Sequence, residues 1–244
     1  MPPRFDPSMP LVHPLPDPER VELRPGLAYA AAGGRALAMD LYLPAGRAPG
    51  TRLPAVLLVH GEAPPEVLRG VRSWGQYTGW GRLLAGEGLA AVAVEHRAIG
   101  EAGFEAVVAE LGAALAAVRD RAGELGVDPD RLAVAGFSAG VPLTTAALAG
   151  PAAGVRCAAL CYGRPLGLDP AAAPPLLVVR CGRDRPELNR AIDEFLAAAQ
   201  AAGRPVELVD HADGHHAFDV LDDTDASRDA IARVLGFLRR RLAG

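Results

Sequence analysis

The sequence predicts an α/β protein: a mostly parallel, twisted sheet with helices on both faces, an antiparallel hairpin at its N-terminal edge, and no large cap. Three observations carry that prediction. From Pro54 onward, short and continuously apolar runs alternate with longer Ala/Leu-rich segments, the pattern of strands buried on both faces and separated by helices. Ahead of them, two strand-like stretches flank Gly33-Gly34, a dipeptide suited to a tight hairpin turn. Further on, an apolar strand runs directly into Gly136-Phe137-Ser138-Ala139-Gly140. This Gly-x-Ser-x-Gly pattern suits a sharp strand-to-helix bend, because glycines lack the Cβ atoms that would collide there.

Residues 1–19 are Pro-rich and read as an extended N-terminal arm, leaving 20–244 as one domain with ample length for a core. The hairpin strands fall at 21–31 and 35–43, and a buried strand follows at 53–59. A helix over 77–86 leads to a strand at 89–94, and the Ala/Leu/Glu periodicity over 101–122 reads as one long helix. The strand at 132–135 feeds the Gly-x-Ser-x-Gly turn and a helix over 139–148. Apolar runs at 155–160 and 176–179 give two further strands. A helix over 187–202, a last strand at 206–209 and a closing helix over 225–242 complete the chain. Only about fifteen residues, 161–175, join the sixth and seventh strands. That is too few for a helical cap, so the cleft is expected to be open and shaped by the loops at 62–74 and 161–174.

Composition narrows the function. A formal net charge of −4 leaves no basic footprint for nucleic acid, and no run of eighteen apolar residues suggests a membrane span. The start Met-Pro-Pro-Arg-Phe-Asp-Pro lacks the apolar core of a signal peptide. Cys157, Cys161 and Cys181 are too few for a disulfide framework. A cytoplasmic protein is expected, monomeric or homodimeric, with no cofactor. All 25 basic residues are arginine; without lysine there is no Schiff-base chemistry and no lysine-dependent phosphate loop.

In open sheets of this type ligands bind at the carboxyl ends of the strands, so the residues just after each strand are the candidates for chemistry. Ser138 is the candidate nucleophile. Its hydroxyl needs a base, and histidine titrates near neutral pH. The run Asp210-His-Ala-Asp-Gly-His-His-Ala-Phe218 places His211, His215 and His216 after the last strand. Position alone leaves His215 and His216 both open as the base. Asp184, in the Gly-Arg-Asp turn after the seventh strand, is the candidate orienting carboxylate, with Asp219 its main competitor. The chain order Ser…Asp…His differs from that of the chymotrypsin and subtilisin types. His211, Asp213, His215 and His216 could form a metal cluster, but no further ligand group matches them, and no metal is expected. The N–H groups of Ala139, at a helix start, and of Glu62, after the third strand, are candidate oxyanion donors. His60 reads as a packed histidine and Cys161 and Cys181 as packing thiols. Trp74 and Tyr77 read first as packing for the helix behind them, with a place in a substrate pocket as the sharper alternative.

Taken together, Leu57-Leu-Val-His-Gly61, Val94-Glu-His-Arg97, Val127-Asp-Pro-Asp-Arg-Leu-Ala-Val-Ala-Gly-Phe-Ser-Ala-Gly140, Gly182-Arg-Asp184 and Gly214-His-His-Ala-Phe218 resemble the α/β-hydrolases. The likeness is to the dienelactone-hydrolase-like and esterase branch, over residues 35–242. The resemblance implies a serine hydrolase of small carboxylic esters, with lactones or thioesters also in range; the alternatives are peptidase or acyltransferase chemistry by the same three residues, or a non-catalytic ligand-binding protein of this fold, against which the full set Ser138, Asp184 and His216 argues. It implies His216 as the base, because the family's base commonly precedes a small residue and Phe; His215 is then left to the substrate pocket. Dienelactone hydrolases proper carry cysteine where this chain has Ser138, so their own substrate is not implied.

Overall fold

The computed structural model describes residues 5–243. Eight strands form one sheet in the order β1-β2-β4-β3-β5-β6-β7-β8. Strands β1 (Val21–Ala32) and β2 (Arg35–Pro44) pair antiparallel, and β2 pairs antiparallel with β4 (Ala90–Val94). From there β4, β3 (Leu53–Val59), β5 (Val127–Phe137), β6 (Cys157–Cys161), β7 (Leu176–Cys181) and β8 (Glu207–His211) are parallel. The expected mixed sheet with an antiparallel N-terminal edge is therefore what forms.

Side chains alternate across this sheet and feed two cores. One face takes Val56 and Leu58 of β3 with Ala133, Ala135 and Phe137 of β5; α2 (Gly75–Gly86), α8 (Phe218–Leu221) and α9 (Asp225–Leu242) cover it. The other face takes Ala55, Leu57 and Val59 with Leu132 and Val134, covered by α4 (Phe104–Asp120), α6 (Gly140–Leu148) and α7 (Pro186–Ala201). Both faces of β3 and of β5 from Leu132 onward are covered, which is why those stretches read as unbroken apolar runs rather than alternating ones; β5 itself starts at Val127, ahead of the expected 132, through the polar run 128–131. Among the described residues no helix is long and apolar enough to cross a membrane.

Several boundaries differ from the sequence reading. The single helix expected over 101–122 is three: α3 (Ile99–Ala102), α4, and α5 (Ala122–Leu125). Gly103, at φ 85°, breaks the first junction, since that left-handed backbone cannot continue a right-handed helix. One short helix, α1 (Pro65–Leu68), lies where a loop was expected, and α8 follows directly on the histidine run. Residues 1–4 of the Pro-rich arm lie outside the described residues. Its remainder is not extended throughout: it turns at residues 6–9, where Met9 N–H donates to the Asp6 carbonyl at 3.0 Å, and ends in one 3₁₀ turn, Pro18–Arg20. It is docked on the domain, with Leu11 buried and Gly75 N–H donating to the Pro7 carbonyl at 2.8 Å.

The turn from β5 into α6 has no spare volume. A Cβ on Gly140 would lie 2.4 Å from the Val59 carbonyl oxygen and 2.7 Å from that of His60, and one on Gly136 would lie 2.4 Å from Thr144 Oγ1. Because the atoms facing Gly140 are backbone, they cannot swing aside as a side-chain end could. Gly140→Ala is therefore expected to cost about 1–3 kcal/mol, the range of overpacking substitutions, read as a lowered urea midpoint at unchanged slope.

Candidate active site

Ser138 sits at the point of the β5–α6 turn with φ 54°. Its backbone N–H donates to the Cys161 carbonyl at 3.0 Å and its carbonyl accepts from Val141 N–H at 3.0 Å. The strained residue is thus tied to β6 on one side and α6 on the other. Its hydroxyl oxygen lies 2.7 Å from His216 Nε2, and His216 Nδ1 lies 2.6 Å from Asp184 Oδ2. A carboxylate can only accept, so Nδ1 carries the proton and Nε2 is left to accept from Ser138. The second Asp184 oxygen accepts from the Arg185 N–H at 2.7 Å, and the side chain is 3% exposed. Its orientation is fixed at both oxygens.

Two loops from neighbouring strands are stitched together to bring this about. Gly182 N–H donates to the His211 carbonyl at 2.9 Å, and Arg183 N–H to the Gly214 carbonyl at 3.0 Å. A Cβ on Gly182 would stand 2.0 Å from the Ala212 carbonyl oxygen, so only glycine lets the Asp184 turn lie this close to the histidine loop. His215, adjacent to His216 in sequence, faces elsewhere. Its Nδ1 lies 2.9 Å from Asp222 Oδ1 and its backbone N–H donates to Asp222 Oδ2 at 2.7 Å. The two histidines each have a carboxylate of their own, and only His216 meets Ser138.

Asp219 takes no part in that chain. It is fully buried beneath the cleft, accepting from Gln76 Nε2 at 2.9 Å, Trp80 Nε1 at 2.9 Å and the Tyr162 hydroxyl at 2.9 Å. Burial pushes its carboxyl above the usual range while these donors act in the opposite sense. The Tyr162 ring then packs edge-on against the His216 ring at 5.2 Å, so a buried carboxylate is linked through one side chain to the histidine at Ser138. Tyr162 has φ 42° and Ala217 φ 60°. Together with Ser138 these are the positive-φ non-glycine residues among the described residues, and all three line the same cleft. Unfavourable backbone collected at one place is a mark of a functional site.

The cleft has a volume of about 470 Å³. Glu62, Trp74, Tyr77 and His215 all line it, as do Asp184, Ser138 and His216. Trp74 and Tyr77 do both things considered for them: they are buried in the core under α2 and face the cleft. The Tyr77 hydroxyl accepts from the Gly61 N–H at 3.3 Å, steadying the loop that presents Glu62. The N–H groups of Glu62 and Ala139 make no hydrogen bond to any other described residue. The expected wall at 161–174 is reduced to Tyr162, and Phe5 of the N-terminal arm lines the cleft instead. Sequence reasoning missed Phe5, Gln76, Phe137 and Tyr162. For Gln76 and Tyr162 the one available signal was a lone acid, Asp219, in an apolar context that demanded partners.

The remaining candidates are accounted for by packing. His211 Nε2 lies 2.9 Å from Ser227 Oγ, and Ser227 is fully buried, with no path for a substrate. Cys161 and Cys181 are buried, and burial pushes both thiols far up; at neutral pH neither is a thiolate. His60 is buried against His96, rings stacked at 3.5 Å, its Nδ1 donating to the Gly61 carbonyl and its Nε2 accepting from the His96 N–H. Burial holds both imidazoles below the usual histidine range, His60 well below. The unfolded chain binds these protons near pH 6.5 and the folded chain does not. Stability is therefore complete above that pH and falls as pH drops through it. The urea midpoint is expected to be lower at pH 5.5 than at pH 7.5, with a smaller drop in His60→Gln.

Comparison with known proteins agrees with this architecture. Residues 39–156 match the BD-FAE family model. No curated protein matches the sequence. Among solved structures, an esterase from Rhizomucor miehei superposes with TM-score 0.75 at 20% identity, covering 95% of this chain and 86% of its own. A bacterial heroin esterase gives TM-score 0.76 at 21% identity over 93% of this chain and 86% of its own. Esterase 2 from the planctomycete Thermogutta terrifontis gives 0.71 at 22% identity over 93% and 94%. In strand order, helix placement and the turn that carries Ser138, this chain is an α/β-hydrolase-fold protein.

Proposed function

We propose that this protein is a serine hydrolase of small carboxylic esters, with Ser138 as nucleophile, His216 as general base and Asp184 as the carboxylate that orients it. The observation that carries the reading is the continuous pair of contacts Ser138 Oγ to His216 Nε2 at 2.7 Å and His216 Nδ1 to Asp184 Oδ2 at 2.6 Å. Similarity of the fold to esterases of three different sources supports it.

The chemistry follows from the geometry. Ser138 Oγ attacks the ester carbonyl carbon as its proton passes to His216 Nε2, and Asp184 stays ionised, stabilising the imidazolium through Nδ1. The carbonyl oxygen becomes an oxyanion, which accepts hydrogen bonds from the N–H groups of Glu62 and Ala139, the latter at the start of α6 where the helix dipole adds to the effect. Collapse expels the alcohol, which takes the proton from His216. Water then attacks the acyl-enzyme by the same route in reverse. An ester is favoured over an amide substrate by the cleft itself: the part bordered by Trp74, Tyr77, Phe137 and Leu221 is apolar and offers an extended peptide backbone few partners.

Hydrolysis of p-nitrophenyl acetate tests these roles. Ser138→Ala and His216→Ala are each expected to lower kcat by on the order of 10⁴-fold or more. His215→Ala, whose ring is held by Asp222 away from Ser138, is expected to lower it by no more than about tenfold. Equal losses in the two histidine variants would contradict the assignment of the base.

A further inference from the structure

The arm ahead of β1 is fastened along α2 as a strap. Gly75, Gly79 and Gly86 share one face of that helix, spaced four and seven residues apart. The strap occupies the groove that they leave. A Cβ on Gly75 would lie 2.2 Å from the Met9 carbonyl oxygen, on Gly79 2.5 Å from Leu11 Cβ, and on Gly86 2.9 Å from Pro16 Cγ. Hydrogen bonds fix the register. Gly75 N–H donates to the Pro7 carbonyl at 2.8 Å, Val12 N–H to the Asp219 carbonyl at 2.8 Å, and the Arg82 guanidinium to the Pro16 carbonyl. The same Asp219 whose side chain holds Tyr162 beneath His216 therefore holds the strap by its backbone.

The consequence lies at the cleft. So fastened, the strap delivers Phe5 to the rim, where its ring meets Trp74 at a centroid distance of 5.4 Å and both border the space in front of Ser138. The short link between β6 and β7 supplies only Tyr162 to that space, so a wall that a cap would otherwise provide comes from the chain ahead of the sheet. The cleft is also lined by the charged Arg183, Asp184 and Arg185, so the Phe5–Trp74 pair is where an apolar group finds contact.

We propose that the strap is a fixed wall of the substrate pocket and that Phe5 is a specificity-determining residue, limiting the ester's apolar group to a compact one. This rests on the ester-hydrolase reading above. Phe5 touches neither the reacting atoms nor the three residues assigned to the chemistry. Its effect falls on which chain lengths are accepted.

The test is a pair of substrate series, p-nitrophenyl esters of lengthening acyl chain and acetate esters of lengthening alcohol. Both are read as kcat/KM relative to the shortest member. Phe5→Ala is expected to raise the relative value for chains two or more methylenes beyond the parent's optimum by roughly tenfold in at least one series, about the effect of accommodating added methylenes in an apolar pocket. Gly75→Ala, which replaces no pocket-lining residue but drives the strap off α2 at Met9 and Phe5 with it, is expected to move the same series in the same direction. A profile that either variant leaves where the parent has it, in both series, overturns the assignment. The two readings separate in the parent protein. If the parent hydrolyses short esters and the profiles do not move, the strap assignment alone falls. If the parent hydrolyses no ester in either series, the hydrolase reading falls and this assignment with it.

Discussion

The backbone at Ser138 is the constraint on which the cleft depends. A residue with a Cβ held at φ 54° is unfavourable by about 1–2 kcal/mol, so its surroundings must over-determine it. They do so through close backbone approaches rather than through side-chain packing. β3 crosses so near to Gly140 that a methyl there would meet two carbonyl oxygens, and the Ser138 carbonyl is 2.1 Å from where a Cβ on Gly163 would be. Fully covered strands β3, β5 and β6 supply the rigidity behind these contacts. The bend is thus an outcome of the central sheet, and the hydroxyl's position is set before any partner reaches it.

The partners arrive by a different physical route. Asp184 and His216 stand on loops after β7 and β8, and those loops are joined to each other by backbone hydrogen bonds before either meets Ser138. Adjacent histidines are then separated by their carboxylates: Asp222 takes His215 and Asp184 takes His216. Beneath them Asp219 gathers Gln76 and Trp80 from α2, Tyr162 from the end of β6 and the backbone of Val12. One buried residue therefore connects the strap, through its backbone carbonyl, with the helix behind the cleft and the ring that packs on His216, through its carboxylate. Removing the carboxylate would leave the buried Trp80 Nε1–H and Tyr162 hydroxyl without an acceptor, which ties the integrity of the cleft to the fold's own stability.

Much of this was legible in the sequence, and what was legible shares a cause. Ser138, Asp184 and the strands behind them sit in local patterns, an apolar run followed by a turn, that a chain must use whenever a strand ends at a cleft. Which of His215 and His216 meets Ser138 was not a local matter, because the rings are held by Asp222 and Asp184, seven and thirty-two residues away from their respective histidines; the expectation of His216 came from the resemblance and not from spacing. The break at Gly103 was missed because an isolated glycine within helical periodicity is usually tolerated. Phe5 was invisible for a deeper reason. The glycines of α2 that seat the strap look in sequence like weak helix positions, and their purpose exists only once Met9, Leu11 and Pro16 lie against them.

On the proposed reading one serine, held at the β5–α6 turn and activated by His216, is the nucleophile. Peptide mapping by mass spectrometry after incubation with a fluorophosphonate tests this most directly, since such reagents acquire the oxygen of an activated serine and lose fluoride. One adduct per chain is expected, on Ser138, lost in His216→Ala and retained in His215→Ala. No adduct on Ser138 in the intact protein, or an adduct that persists at the same rate without His216, would contradict it.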